Sequence, residues 1–188
     1  KKLLDGLPDA TLKDCERLVN WVRFVKSDAE IELMKNAALI TDKSMQTAID
    51  IINPGVRQCD AVGEIQKAMF YGTPEYGGEY SSIATLLPTG AGTSASHLTA
   101  TQERFIKGEA TIIEIAGVHK RYHAPLARTV LLGKAEQKKI DAMIATNEAL
   151  NEGMSAIKPG NTADDVAQKF WAVLDKYDIK KSLGLDIP

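Results

Sequence analysis

Cysteine is scarce in this sequence. Cys15 and Cys59 are the only two among 188 residues, and they form no C-x-x-C pair. Two thiols so far apart argue against a disulfide framework or a structural zinc site, and a reducing cytoplasm is the expected setting. No apolar run approaches the roughly 20 residues that cross a bilayer, so no membrane partner is expected. The first residues, Lys1-Lys2-Leu3-Leu4-Asp5-Gly6, have no long apolar stretch and no cleavage-site pattern, so they do not read as a signal peptide. They lack an initiator Met, and the chain is expected to begin inside a longer product. An excess of one charge is also missing. With 23 basic and 25 acidic residues the net charge is -2, and no Lys/Arg cluster marks a nucleic-acid surface. Nucleophile-elbow, Walker and dinucleotide-binding fingerprints are all absent. The remaining composition, 44% apolar and 26% charged, is that of a globular domain that would take a small molecule as partner.

Residues 1–26 carry a short helical pattern, Ala10 to Val25, and read as the tail of a preceding domain with its linker. Ser27-Asp28-Ala29-Glu30 then forms a capping box. Ile31, Met34, Ala38, Ile40, Met45, Ala48, Ile49 and Ile52 follow at roughly helical spacing, up to a stop at Pro54-Gly55. A second helix is predicted from about Cys59 to Tyr71. This unit recurs. Ala48–Gly55 followed by Asp60 has a counterpart in Gly153–Gly160 followed by Asp165, at a constant offset of 105 residues. Ile65 maps onto Phe170 and Met69 onto Leu174, which keeps the apolar face of the following helix.

Between the copies lies a β-rich stretch. Candidate strands are Ser81 to Leu87, Thr111 to Ala116 and Tyr122 to Leu132, the last two joined by a turn over residues 117–121. Residues 135–178 are again helical. By the logic of the repeat, another sheet half is expected after residue 178, and the sequence shown ends at Pro188. The predicted domain therefore spans residues 27–188, with a first repeat over about 27–134 and the start of a second over about 135–188.

Three histidines and one buried-pattern carboxylate stand out. His97 sits in the small-residue loop Ala91–His97, between strands, where either a solvated surface residue or a proton-transfer group fits. Glu114 lies inside the apolar strand Thr111–Ala116. It either faces water at a sheet edge or faces a pocket with a cation or histidine as partner. In the next strand, alternation puts His123, Pro125, Ala127 and Thr129 on one face, and Tyr122, Ala124, Leu126 and Arg128 on the other. Pro125 cannot donate to a ladder and marks an edge or a bulge. His119 and His123 straddle a turn and make a poor metal pair. Arg128 suits a structural ion pair or a substrate contact.

The order His97, Glu114, then a Tyr-x-x-x-x-x-Arg-Thr strand resembles the creatinase/aminopeptidase P/prolidase family. In its metallopeptidase members a pocket His precedes an Asp-x-Gly by seventeen residues, as His97 precedes Glu114, and a second Asp follows eleven later, where this chain has Pro125. The resemblance covers roughly residues 24–180. It implies an α+β pita-bread fold with an internal pseudo-twofold repeat, its second sheet half missing from this chain. Glu114 in place of one ligand Asp and Pro125 in place of the other imply no metal and no other cofactor.

Within the family, the segments Leu18–Arg23, Leu86–Gly90, Ser96–Thr99 and Glu114–Leu126 are most similar to metal-independent ectoine hydrolases. Creatinase carries Glu just before its Arg-Thr, where this chain has Ala127. The resemblance therefore implies hydrolysis of a C–N bond in a small nitrogen-rich solute, as in opening a cyclic amidine. His97 would be the proton shuttle, and Glu114 would orient it or pair with the amidine. His123 would contact the substrate carboxylate, with Tyr122 and Arg128 as further substrate-binding residues. A pocket His and two Glu of the second half would lie beyond Pro188. A homodimer is implied as well. The alternatives are an Xaa-Pro dipeptidase or aminopeptidase, a creatinase, and a pita-bread module that binds without catalysis.

Overall fold

A computed structural model describes residues 5–95 and 97–179. Helix α1 spans Leu18–Phe24 and is shorter than the pattern from Ala10 predicts; Trp21, Val22 and Phe24 are all exposed. Helix α2, Asp28–Ile51, begins where the sequence places it. Glu30 N–H donates to Ser27 Oγ, and Ser27 N–H donates to Glu30 Oε2 at 2.7 Å, so two of the helix-end donors are satisfied reciprocally. Its buried stripe, Ala37, Ile40, Thr41, Ser44, Met45 and Ala48, follows the 3.6-residue period. Helix α3, Gln58–Tyr71, follows the Pro54-Gly55 turn, where Gly55 adopts φ 90°.

Strands β1 (Ala110–His119) and β2 (Tyr122–Leu131) pair antiparallel, from Ala110 opposite Leu131 to His119 opposite Tyr122. Every residue of one strand opposes one of the other, so Pro125, opposite Ala116, marks an edge and no bulge. The connection is only Lys120-Arg121, not the longer turn predicted. Both residues lie at positive φ, 47° and 67°, the geometry that matches the twist of a two-residue hairpin. Helices α4 (Gln137–Ser155) and α5 (Ala163–Lys176) close the described chain.

The repeat is visible in the backbone. Helices α3 and α5 are both 14 residues long and start 105 residues apart, after glycines at φ 90° and 95°. Residues of the second repeat beyond 179 lie outside the described residues. The architecture is α+β, with a partial sheet and the core on one of its faces. Ile113 and Ile115 of β1 meet Met45 and Ala48 of α2, Ile65 and Met69 of α3, and Phe105 of the intervening segment. A full burial of one such Ile contributes about 1.5–3 kcal/mol, so this cluster anchors the hairpin to the helices.

Helix α2 touches the sheet most closely at Thr41. Its hydroxyl accepts from Gly117 N–H at 2.9 Å, and its oxygen lies 2.6 Å from the Ala124 carbonyl oxygen.

The segment read as a strand from Ser81 to Leu87 is not one. Only isolated pairings occur there, Leu86 with Glu114 and with Thr99, and Thr89 with Thr111. Pro88 offers no N–H, and the chain before Leu86 leaves the edge of β1, as described below. Among the described residues no helix is long and apolar enough to cross a membrane.

Candidate functional site

The register sorts the hairpin into two faces. Cross-strand partners share a face. Ile113 opposite Arg128, Ile115 opposite Leu126 and Gly117 opposite Ala124 therefore look toward α2 and α3. Glu114 opposite Ala127, Ala116 opposite Pro125 and Val118 opposite His123 look the other way. On β2 this second face is open, and Pro125, Ala127 and Thr129 are all exposed.

Glu114 and His97 come together through Leu86. Leu86 exchanges two backbone hydrogen bonds of 3.0 Å with Glu114 on one side. On its other side it bridges to Thr99, and Leu87 N–H donates to the Leu98 carbonyl. His97, two residues before Thr99, is thereby carried to the flank of β1. Its Nε2 lies 3.9 Å from Glu114 Oε2. That is an ion-pair distance if the ring is protonated, and it is too long for a hydrogen bond. The Glu114 side chain is 31% exposed and that of His97 70%, so Glu114 is the half-sheltered partner and His97 the accessible one. His97 also has φ 62°, a left-handed backbone rarely adopted by a side-chain-bearing residue. Ser96 lies outside the described residues.

His123 is on the same face as Glu114 but is engaged elsewhere. Its Nε2 meets Ser82, and its Nδ1 lies 3.1 Å from the Arg121 carbonyl oxygen. Tyr122 and Arg128 sit on the helix side of the register. Tyr122 donates its hydroxyl hydrogen to Glu30 Oε1 at 2.9 Å, and Arg128 Nη1 donates to the Ala127 carbonyl. The structure thus brings His97 and Glu114 together, places His123 along the same face, and puts Tyr122 and Arg128 away from that face. His119, adjacent to the turn, packs edge-on against Tyr76 with ring centroids 5.1 Å apart. Ser82 went unnoticed in the sequence, because a strand from Ser81 to Leu87 would have kept it in a ladder beside β1.

The Glu30–Tyr122 contact ties the start of α2 to the start of β2. The Ser27 backbone N–H, then the Ser27 and Tyr122 hydroxyls, hold the Glu30 carboxyl at a pKa of about 2, against an ordinary 4.5. A depressed carboxylate contributes stability that is fully present above pH 4.5 and is lost as pH falls toward 2. Tyr122→Phe is therefore expected to move the Glu30 carboxyl resonance titration upward, leaving it still below 4.5 because the Ser27 donors remain. A carboxyl-detected NMR titration checks this. An unchanged midpoint would remove Tyr122 from the contact.

Residues 32–187 match the profile of metallopeptidase family M24. An ectoine hydrolase from Halomonas elongata is 41% identical over 180 residues, which is 93% of this chain and 45% of that protein. An Xaa-Pro dipeptidase from Pyrococcus furiosus is 24% identical over 88% of this chain and 46% of its own length. Among solved structures, an X-Pro aminopeptidase from Thermotoga maritima superposes with a TM-score of 0.84 at 18% identity, covering 94% of this chain and 49% of that one. The chain spans about half the length of the curated relatives it matches.

Proposed function

This chain belongs to metallopeptidase family M24, and from that membership and its open sheet face we propose that it supplies part of the site of a metal-independent hydrolase that opens a cyclic amidine such as ectoine. The observation that carries the reading is the His97–Glu114 pair, 3.9 Å apart, on the same sheet face as a proline at position 125. The donor set supports metal independence. A two-metal centre needs bridging and chelating carboxylates. On this face Glu114 offers one carboxylate, and Pro125 offers no side-chain donor. The 41% identity to a protein named ectoine hydrolase favours the cyclic amidine over a peptide.

In the proposed reaction His97 takes a proton from water as the oxygen adds to the amidine carbon. The same imidazolium then protonates the departing nitrogen as one C–N bond breaks, and the hydroxyl proton of the adduct passes back to the imidazole as the carbonyl forms. The products are an amide on one nitrogen and an amine on the other. Glu114 holds His97 in register or accepts the amidinium N–H. Residues 27–188 form the first part of the catalytic domain, and residues 1–26 join it to a preceding one, in a homodimer.

The test is the full-length enzyme with ectoine and a strong chelator, followed by NMR. Ring opening that persists with chelator is the expected result. Chelator-sensitive cleavage of Gly-Pro, restored by manganese, with ectoine untouched, would overturn it in favour of an Xaa-Pro dipeptidase.

A further inference from the structure

The segment from Glu79 to Ala84 leaves the edge of β1 and crosses toward β2. Glu79 N–H donates to the Val118 carbonyl at 3.1 Å. Three residues later Ser82 N–H donates to His123 Nε2 at 3.1 Å, and Ser82 Oγ lies 2.7 Å from the same nitrogen. His123 Nδ1 faces the Arg121 carbonyl oxygen at 3.1 Å.

These contacts assign the protons. A backbone N–H can only donate, so Nε2 must present its lone pair. A carbonyl oxygen can only accept, so Nδ1 must carry the hydrogen. His123 is then a neutral imidazole with its proton on Nδ1, and the Ser82 hydroxyl hydrogen points to Nε2. Both ring nitrogens are committed. Neither can donate to a substrate carboxylate, the role the sequence suggests for His123. The free valence of the pair lies on Ser82 Oγ, whose lone pairs are left as acceptors.

We propose that Ser82 is a substrate-binding residue and His123 its positioning partner, the hydroxyl accepting an N–H from a cationic nitrogen of the substrate. The proposal rests on the hydrolase reading above and deepens it by naming what the far end of the site recognises. A hydroxyl that already donates to an imidazole is a stronger acceptor, because linked hydrogen bonds polarise one another. Along the strand, Val118 opposite His123 and Glu114 opposite Ala127 are four residues apart on one face, about 14 Å between backbones, less the reach of the side chains. Between them Ala116 is buried and Pro125, with no side-chain polar atom, is exposed. A ligand lying over Pro125 and Ala127 meets a carboxylate at one end and an acceptor oxygen at the other. That pairing suits an amidinium or ammonium and disfavours an anion.

The crossing segment is fixed by a clamp at the hairpin tip. Glu79 Oε1 accepts from Lys120 N–H at 2.9 Å, Glu79 Oε2 lies 3.5 Å from Arg121 Nη1, and the Arg121 guanidinium stacks 4.2 Å over the Tyr80 ring. The left-handed turn that brings Arg121 into reach thus also holds Ser82 above His123.

Two measurements on the full-length enzyme test the proposal. A long-range nitrogen–proton NMR spectrum of the histidines, without substrate, is expected to show His123 with its hydrogen on Nδ1; a hydrogen on Nε2 overturns the pairing. Steady-state kinetics are run on ectoine, or on Gly-Pro with manganese if that is what the enzyme cleaves. Ser82→Ala is expected to raise KM about tenfold with kcat little changed. Ser82→Thr, which keeps the hydroxyl, should restore it. His123→Ala should raise KM to the same extent, and the double variant should be no worse than either alone. A Ser82→Ala enzyme with unaltered KM overturns the binding role. Ser82 is exposed, so the alanine variant folds, and its melting temperature confirms that. An enzyme inactive on both substrates overturns the proposed function and this role with it, while the NMR result still decides the Ser82–His123 pairing.

Discussion

His97→Ala in the full-length enzyme is expected to lower kcat by about 10²–10⁴, the range typical of a lost general acid–base, while leaving the melting temperature nearly unchanged. The second half of that expectation follows from exposure. The His97 side chain is 70% exposed, so its removal opens no cavity. The first half follows from position. His97 holds a left-handed backbone, φ 62°, at a cost of about 1–2 kcal/mol for a side-chain-bearing residue, and that conformation places its ring beside Glu114. His97→Asn is a sharper companion. Asparagine tolerates the left-handed backbone but cannot carry a proton near neutral pH, so its turnover should fall as far as that of the alanine variant. Glu114→Gln then separates two roles. If Glu114 acts by orienting His97, the His97→Ala/Glu114→Gln double variant is no slower than His97→Ala alone. If Glu114 binds the cationic substrate instead, the two losses multiply and appear in KM. A His97→Ala enzyme retaining kcat within a few-fold would remove His97 from proton transfer altogether.

Features set by nearby residues were legible in the sequence. The Ser27–Glu30 capping box needs only four residues and starts α2 where predicted. The Pro-Gly stops at 54–55 and 159–160 are local too, and their constant offset exposes the repeat that the α3 and α5 backbones share. The pairing of residues near 111–116 with those near 122–132 follows from two β-rich runs around a short turn. What escaped depends on distant contacts. A β-rich stretch suggests a strand from Ser81 to Leu87, yet the partner that draws Ser82 away is His123, 41 residues later. The resemblance makes Tyr122 a substrate-binding residue, but Glu30, 92 residues earlier, takes its hydroxyl on the face opposite His123. The proximity of His97 to Glu114 is implied by the family resemblance and by no local feature. Its cause is Leu86, which pairs with both flanking segments and is not a chemically conspicuous residue.

The largest stability effect is expected at Gly117, where Gly117→Ala should destabilise the full-length protein by about 3 kcal/mol in urea unfolding. The reason is the close approach of α2 to the hairpin. A Cβ on Gly117 would stand 2.7 Å from the Ala37 carbonyl oxygen, from Thr41 N and from Thr41 Oγ1. Two of these atoms belong to helix backbone and cannot rotate aside, and Thr41 is itself buried. The helix and strand must therefore separate, which stretches the Gly117 N–H bond to Thr41 Oγ1 and the contact between Thr41 and the Ala124 carbonyl. Gly63→Ala is the contrasting substitution. Gly63 lies within α3, a Cβ there meets nothing within 4 Å, and alanine should stabilise the helix by about 0.5–1 kcal/mol. Thr41→Val tests the hydrogen bonds without adding bulk to the strand, and should cost about 1–3 kcal/mol by leaving Gly117 N–H unpaired. Thr41→Ser, which keeps the oxygen, should cost less. The effect reaches the site because Gly117 lies between Glu114 and the turn that leads to His123. A hairpin pushed off α2 carries both along, so Gly117→Ala should lower activity in the molecules that remain folded. Gly117→Ala unfolding at the wild-type urea midpoint would mean that α2 and the hairpin are not held at this separation in solution.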